Sequence, residues 1–269
     1  MLKKVWKSFM KNGIKMTLDL IYERSLWQVA RSGRSSRKQM RQFYNKHQGQ
    51  RCFIIGNGPS LKKMDLSPLR HEYTFGLNRI YLLFPELGFT TTYHVCVNRL
   101  VIEQFGSDMQ NLATTKFINW TGRKWVSAAP DLMFIHTVPH SKFFTDISKR
   151  VGEGATVTYV AMQIAYYMGF EQVILIGVDH SFATKGKPHT TVVSLGDDPN
   201  HFDPRYFGKG VRWQLPDLEA SELAYRIAKE RFEEAGREIV DATIDGKLQV
   251  FRKVDYHTLF TPTGKSNTP

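Results

Sequence analysis

Cysteine is nearly absent: Cys52 and Cys96 are the two in 269 residues, and both sit inside apolar runs. Two buried thiols supply neither a disulfide framework nor a cysteine-based zinc site, and they fit a reducing compartment. No apolar stretch approaches the ~20 residues that cross a bilayer. The first residues mix charges into their apolar positions, so a secretory leader is not expected and cytoplasmic residence is. No HExxH or comparable ligand spacing occurs, and there is no internal repeat or low-complexity tract. Acidic residues are scarce in one region above all. Residues 1–51 hold Asp19 and Glu23 against thirteen Lys and Arg, so this segment carries +11 of the net +12. The rest is almost neutral. That excludes a nucleic-acid groove across the body and leaves a basic appendage.

What is present is enough for a sizeable core: 42% of residues are hydrophobic and 13% aromatic. A length of 269 predicts one domain, or one domain with an appendage. The expected division is a basic helical segment over 1–50, a catalytic domain over 51–260 and a disordered tail over 261–269. In Met1 to Trp27, Leu2, Val5, Trp6 and Phe9 fall at helical spacing among Lys3, Lys4, Lys7, Lys11 and Lys15. This reads either as an interfacial helix on an anionic membrane surface or as a helix packed on the body or a partner subunit. Gly33 to Arg37 reads as a break, followed by a short helix over Lys38 to Asn45.

Arg51 to Leu61, R-C-F-I-I-G-N-G-P-S-L, is the stretch around which the rest is arranged. Cys52 to Ile55 predicts a buried strand. Gly56, Asn57, Gly58, Pro59 and Ser60 then form a glycine turn leading into a helix start. Glycines permit positive φ and leave room for a ligand. Unpaired N–H groups at such a turn favour a phosphate, although a tight strand-to-helix turn explains the same residues. Leu61 stands where a third glycine would complete G-x-G-x-x-G, which argues against a dinucleotide.

Further strands are expected at Tyr73–Leu77, Thr91–Val97, Lys116–Trp120, Leu132–His136, Gln172–Val178 and Ile239–Asp241. Helices are expected at Leu61–Leu69, Leu100–Phe105, Thr156–Met168 and Asp217–Gly236. Strand and helix alternate, which predicts a doubly wound α/β fold with a mostly parallel sheet. Its strands end on Gly56, Asn78, Asn98 and Asp179, the carboxyl edge where such sheets bind ligands.

Asn78 and Asn98 offer a donor and an acceptor each for a ribose, a base edge or a phosphate, or they cap turns. Thr156 is placed to cap the strongest helix, whose start is a second anion site. Asp179 could hold a sugar hydroxyl, orient a histidine or bind Mg²⁺ beside Asp197 or Asp198. His180 and Ser181 follow it as candidate substrate contacts. The long loop from Thr184 to Pro204 carries His189 and His201. His201 lies in N-H-F-D-P-R-Y-F-G, whose aromatics predict an ordered loop, with Tyr206 as a further contact. A loop histidine suits a general base on a hydroxyl.

F-I-I-G-N-G-P-S-L, G-F-E-Q-V-I-L-I-G-V-D-H and A-T-I-D-G-K-L-Q-V-F resemble the DUF115 family, also called 6-hydroxymethylpterin diphosphokinase MptE-like, over about Arg51 to Phe260. Part of the pattern is similar to bacterial CMP-sialic acid sialyltransferases, which share G-N-G-P-S-L-K, the two asparagines and the G-[IV]-D strand end. Those enzymes carry two tyrosines after that strand, where this chain has His180, Ser181 and Phe182. Gly154 stands where they carry an arginine. The resemblance implies a Rossmann-like, GT-A-type variant and an inverting, metal-independent glycosyl transfer from a CMP-activated acidic sugar to a glycan or glycolipid. His201 would be the base, and Gly56 to Ser60, Asn78, Asn98, Thr156 and Asp179 would hold the nucleotide. The enzyme would work in polysaccharide assembly at the inner face of the membrane, with a homo-oligomer as a possible partner state. The alternatives are a diphosphokinase using ATP and Mg²⁺, and a non-catalytic nucleotide-binding assembly protein.

Overall fold

Runs such as Phe53-Ile54-Ile55 and Val173-Ile174-Leu175-Ile176 have apolar side chains on both faces. They can form strands only where both faces of the sheet are covered. The computed structural model describes residues 21–260, and these runs lie at its centre with every residue buried. The strands are β1 (Arg51–Ile55), β2 (Tyr73–Leu77), β3 (Tyr93–Cys96), β4 (Thr115–Asn119), β5 (Leu132–Ile135), β6 (Thr137–Val138), β7 (Val151–Gly152), β8 (Gln172–Ile176), β9 (Thr191–Val193), β10 (Arg212–Gln214), β11 (Glu238–Asp241) and β12 (Arg252–Lys253). Eight of them form one sheet in the order β12-β11-β8-β1-β2-β3-β4-β5, and every pair is parallel. β6 pairs with β7 and β9 with β10 outside it.

This is a Rossmann-like, doubly wound α/β fold. Strand order runs one way from β1 to β5 and the other way through β8 and β11, so the topological switch point lies between β1 and β8. β12 adds an edge strand beyond β11, held by the Lys253 ammonium on Asp241 at 2.6 Å.

The helices are α1 (21–29), α2 (Arg31–Met40), α3 (Phe84–Leu87), α4 (Arg99–Gln110), α5 (Val157–Met168) and α6 (Leu218–Glu234). α5 is buried almost all round, which fits a helix enclosed between the sheet and a neighbour. Its ends follow the sequence. Thr156 accepts the Thr158 amide, and Gly169 takes the left-handed C-terminal position at φ 91°. α6 opens on Asp217, whose Oδ1 accepts the Ala220 amide at 2.9 Å. The helix expected over Leu61–Leu69 is two 3₁₀ turns, Pro59–Lys63 and Ser67–His71, because Pro59 and Pro68 each start a new turn.

The N-terminal boundary differs from expectation. Residues 21–50 are part of the domain, because Trp27 and Met40 are fully buried and the Ser36 hydroxyl accepts the Phe134 amide of β5 at 3.0 Å. The expected break at Gly33 to Arg37 lies inside α2, and the chain breaks at Ala30 instead. Gly33 is there for close packing, since a Cβ on it would lie 2.4 Å from the Trp27 carbonyl oxygen. The amphipathic reading of residues 1–20 and the tail over 261–269 lie outside the described residues. Among the described residues no helix is long and apolar enough to cross a membrane.

Candidate functional site

The carboxyl ends of β8, β1, β2, β3, β4 and β5 line one cleft of about 1140 Å³. Asn57, Asn78, Asn98, Thr156, Asp179, His180, Ser181, His201 and Tyr206 all border it, as do Gly56 and Gly58. Pro59 and Ser60 lie just behind the glycine turn.

The turn works differently from its sequence reading. Gly56 and Gly58 do not have positive φ; Gly58 has φ −69°. They are glycines because β8 ends against them. A Cβ on Gly56 would lie 2.3 Å from the Gly177 carbonyl oxygen, and one on Gly58 would lie 1.8 Å from Asp179 Oδ2. The amides are committed too. Gly56 N–H donates to the Ile176 carbonyl, Gly58 N–H to the Gly177 carbonyl and Ser60 N–H to Asp179 Oδ1. The Ser60 hydroxyl donates to Asp179 Oδ2 at 2.6 Å. So those three N–H groups are not a free phosphate cradle. Asp179 braces the turn from within. Burial raises its pKa, and the Ser60 hydrogen bonds oppose that rise.

Polar atoms left over point instead to the asparagines. Asn57 Oδ1 and Asn78 Oδ1 are buried with no hydrogen-bond partner, and both residues line the cleft. A buried acceptor without a donor is costly, so these atoms are suited to a ligand N–H or O–H. Asn78 also has φ 49°, an uncommon left-handed position, held by the hydrogen bond its backbone N–H donates to the Val95 carbonyl at 2.9 Å. Asn98 is chiefly a cap: its Oδ1 accepts the Leu100 and Val101 amides at 2.9 and 3.3 Å. Thr156 is likewise the cap of α5, and its hydroxyl lies 3.4 Å from the Tyr225 hydroxyl.

His201 has the arrangement of a general base. Its Nδ1 lies 2.7 Å from Asp198 Oδ2. A carboxylate only accepts, so Nδ1 carries a proton, and the neutral imidazole in this orientation has its lone pair on Nε2. Nε2 has no hydrogen-bond partner among the described residues. Asp198 is itself fixed, because Oδ1 accepts the Asn200 amide at 2.8 Å and Oδ2 the Phe207 amide at 3.0 Å. Burial pushes the Asp198 carboxyl up, but the hydrogen bond and charge of His201 and the two amides hold it below the usual range. The His201 ring stacks on Tyr206 with centroids 3.9 Å apart and planes at 9°. Phe207 meets it edge-on at 5.0 Å. The loop is tied to the glycine turn by the Phe202 amide, which donates to the Asn57 carbonyl at 2.9 Å.

Two of these supports are not visible in the sequence pattern. Asp198 reads there as a metal ligand, not as the partner of the histidine three residues on. Arg79 belongs to no motif. Its buried guanidinium donates to the carbonyls of Arg205 and Tyr206 and packs 3.7 Å over the Phe105 ring. It clamps the loop that bears His201. Its only local signal is its place directly after Asn78.

The remaining histidines are less suited to chemistry. His180 Nε2 pairs with Glu222 at 3.1 Å, and exposed His189 pairs with Asp217 at 3.2 Å. Ser181 is exposed on the rim. The Mg²⁺ set of Asp179 with Asp197 or Asp198 does not fit. Asp179 is bound to Ser60, and Asp198 to His201 and two amides, so both carboxylates are already engaged at each oxygen. Among the described residues no three His, Cys, Asp or Glu side chains gather to hold a metal ion.

Among solved structures the chain is similar to the MAf glycosyltransferase from Magnetospirillum magneticum AMB-1, at 14% identity and a TM-score of 0.49. The similarity covers 82% of this chain and 38% of that one, so this chain spans well under half of that protein's length. No curated protein matches. Residues 28–185 match the profile described as 6-hydroxymethylpterin diphosphokinase MptE-like. That span holds the glycine turn, Asn57, Asn78, Asn98 and Asp179, and the chain belongs to the MptE-like family.

Proposed function

We propose that this protein is a glycosyltransferase that moves an acidic sugar from a CMP-activated donor to a hydroxyl of a glycan or glycolipid, with inversion. One observation carries the reading: a histidine oriented by a buried carboxylate, with Nε2 unpartnered, borders the same cleft as two unpartnered amide oxygens. The nucleotide would lie at the switch point between β1 and β8, where doubly wound sheets bind such ligands. Asn57 and Asn78 would accept N–H or O–H groups of its base or ribose. His201 Nε2 would take the acceptor proton as that oxygen attacks the anomeric carbon. The bond from that carbon to the phosphate oxygen breaks, and CMP leaves with the electron pair. Asp198 would stabilise the imidazolium formed, and a base so placed contributes roughly 10²–10⁴ in rate. A glycolipid acceptor would be met at the inner face of the membrane, to which the charge of residues 1–27 is suited.

The family description names a diphosphokinase, whose chemistry calls for ATP and Mg²⁺. The engaged state of Asp179 and Asp198 counts against that reading. Calorimetric titration of the full chain with CMP and with ATP plus Mg²⁺ decides between the two. CMP is expected to bind without added metal. Binding of ATP alone, and only with Mg²⁺, would overturn the transferase reading.

A further inference from the structure

The cleft has two chemically different ends. Its volume of about 1140 Å³ exceeds the roughly 300–1,000 Å³ of a single-ligand pocket. Parallel strands lie about 4.8 Å apart, so the mouth runs about 19 Å across the four steps from β1 to β5. His201, Asn57 and Asp179 occupy the β8–β1 end. The β4–β5 end is lined by Trp27 of α1, Trp120 after β4, His136 after β5, and Arg24, Arg99 and Arg150.

That second end is rich in donors and poor in acceptors. Arg24, Arg99 and Arg150 have no carboxylate partner among the described residues. Arg99 and Arg150 rest only on the rings of Trp125 and Phe144, at 5.5 Å each. Of the nearby acids, Glu23 is neutralised by Arg123 at 2.8 Å, while Glu153, whose Oε1 accepts the Thr137 hydroxyl at 2.5 Å, is a single carboxylate set against the three guanidinium groups. Lys149 also lines the cleft, but Asp146 meets it at 3.1 Å. The His136 imidazole registers the local field, because burial and then Arg150 and Arg24 lower its pKa, with Glu23 opposing. Trp27 and Trp120 meet edge to face at 5.3 Å, and the indole N–H of each is buried without an acceptor. Three unpaired guanidinium groups with two orphan donors exceed what one carboxylate would satisfy. They match the charge and the several oxygens of a phosphate ester.

We infer that the β4–β5 end of the cleft is a second binding site, built to hold a phosphate or diphosphate group. As the place of the acceptor in the proposed transfer, it defines an acceptor whose phosphate lies several strand spacings from the hydroxyl presented to His201; that role rests on the transferase reading, whereas the affinity for the anion does not. α1 is then part of the site, since it supplies Arg24 and Trp27.

The test titrates inorganic diphosphate into the full chain by calorimetry, with and without saturating CMP. Wild type is compared with Arg24→Ala/Arg150→Ala and with Arg231→Ala/Arg252→Ala, which removes two exposed arginines away from the cleft. Diphosphate is expected to bind the first variant at least tenfold more weakly, with the second within twofold of wild type and CMP affinity within twofold in both. Equal diphosphate affinity in all three proteins would overturn the site. Sedimentation with phosphatidylglycerol and phosphatidylcholine vesicles separates the sources of the phosphate. If only the first variant loses binding to the anionic vesicles, the group belongs to a lipid; if vesicle binding is unchanged while diphosphate binding falls, it belongs to a soluble acceptor. Failure of CMP to bind any of the proteins would sink the transferase reading, and the titration without CMP would still decide the anion site.

Discussion

Replacing His94 should remove a large part of this protein's sensitivity to acid. His94 lies in the middle of β3, paired in register with Gly76 of β2 and Lys116 of β4. It is fully buried, and neither ring nitrogen has a hydrogen-bond partner. Burial first, and the Lys116 ammonium second, depress its pKa from 6.5 to about 3. The Lys116 charge is fixed there by the carbonyls of Leu112 and Thr114 and by Asp131 at 2.5 Å. The folded chain therefore refuses a proton that the unfolded chain accepts below pH 6.5. Stability is complete above that value and is lost as pH falls from 6.5 towards 3. Each pKa unit is worth about 1.4 kcal/mol, so the full loss is about 5 kcal/mol, of which about 2 kcal/mol is gone at pH 5. A loss of that size is a large fraction of a typical stability of ~5–15 kcal/mol.

Urea unfolding of wild type and His94→Leu at pH 7.5 and pH 5.0 measures this directly. Leucine keeps the volume, removes the titration and leaves no unpaired nitrogen. The stability lost between the two pH values should be about 2 kcal/mol smaller in the variant. Other groups, including Asp198 with its depressed pKa, contribute equally to both proteins and cancel. Equal losses in the two proteins would show that the imidazole is protonated, or hydrated, within the fold, and the reasoning from burial would be wrong.

His201→Ala should leave the CMP dissociation constant within about threefold and lower turnover roughly 10²–10⁴-fold, measured as CMP release; turnover at wild-type level would remove His201 from the mechanism. Asp198→Asn keeps its shape but has one acceptor oxygen for three donors, so urea unfolding should show a loss of about 1–3 kcal/mol from at least one orphaned N–H, with CMP release slowed as well. Gly56→Ala and Gly58→Ala should each be destabilising, because the Gly56 Cβ meets the Gly177 carbonyl oxygen at 2.3 Å and that of Gly58 meets Asp179 Oδ2, held by Ser60, at 1.8 Å; a urea midpoint at the wild-type value for either variant would refute that account. Trp27→Ala should cost about 3–5 kcal/mol, the usual range for a fully buried large aromatic, if residues 21–50 belong to the domain; thermal melting at the wild-type midpoint would return that segment to the status of an appendage.

The parallel sheet was legible because strands covered on both faces must be apolar throughout, and Phe53 to Ile55 and Val173 to Ile176 announce this locally. The carboxyl-edge positions of Asn78, Asn98 and Asp179 followed from the ends of those runs. What failed were inferences that needed a second segment. The glycines at 56 and 58 were read as freedom of φ, but their cause is Asp179 and the residues before it, more than a hundred positions away. No local pattern distinguishes a glycine that must bend from one that must let a neighbour approach. Charge misled in the same way over residues 21–50. Arg31, Arg34 and Lys38 describe the solvated face of α2, while Arg37 packs on Trp27 and Ser36 and Met40 are buried. Net charge reports what faces water, so it drew a domain boundary through the middle of a packed structure.

The same reasoning alters the chemistry assigned to each cleft residue. A carboxylate at a strand end reads from sequence as a ligand, yet Asp179 and Asp198 have their oxygens engaged within the protein. The groups left without partners are neutral acceptors at one end, Asn57 and Asn78, and donors at the other, the two indoles with the three arginines. Unpaired acceptors repel a phosphate and unpaired donors attract one. The negative groups of a bound substrate must then be met away from those two amide oxygens, with the hydroxyl- and amino-bearing parts placed against them. A ligand oriented with a phosphate on Asn57 Oδ1 and Asn78 Oδ1 would leave both of those acceptors unsatisfied, so a complex in that orientation would contradict the polarity derived from these atoms.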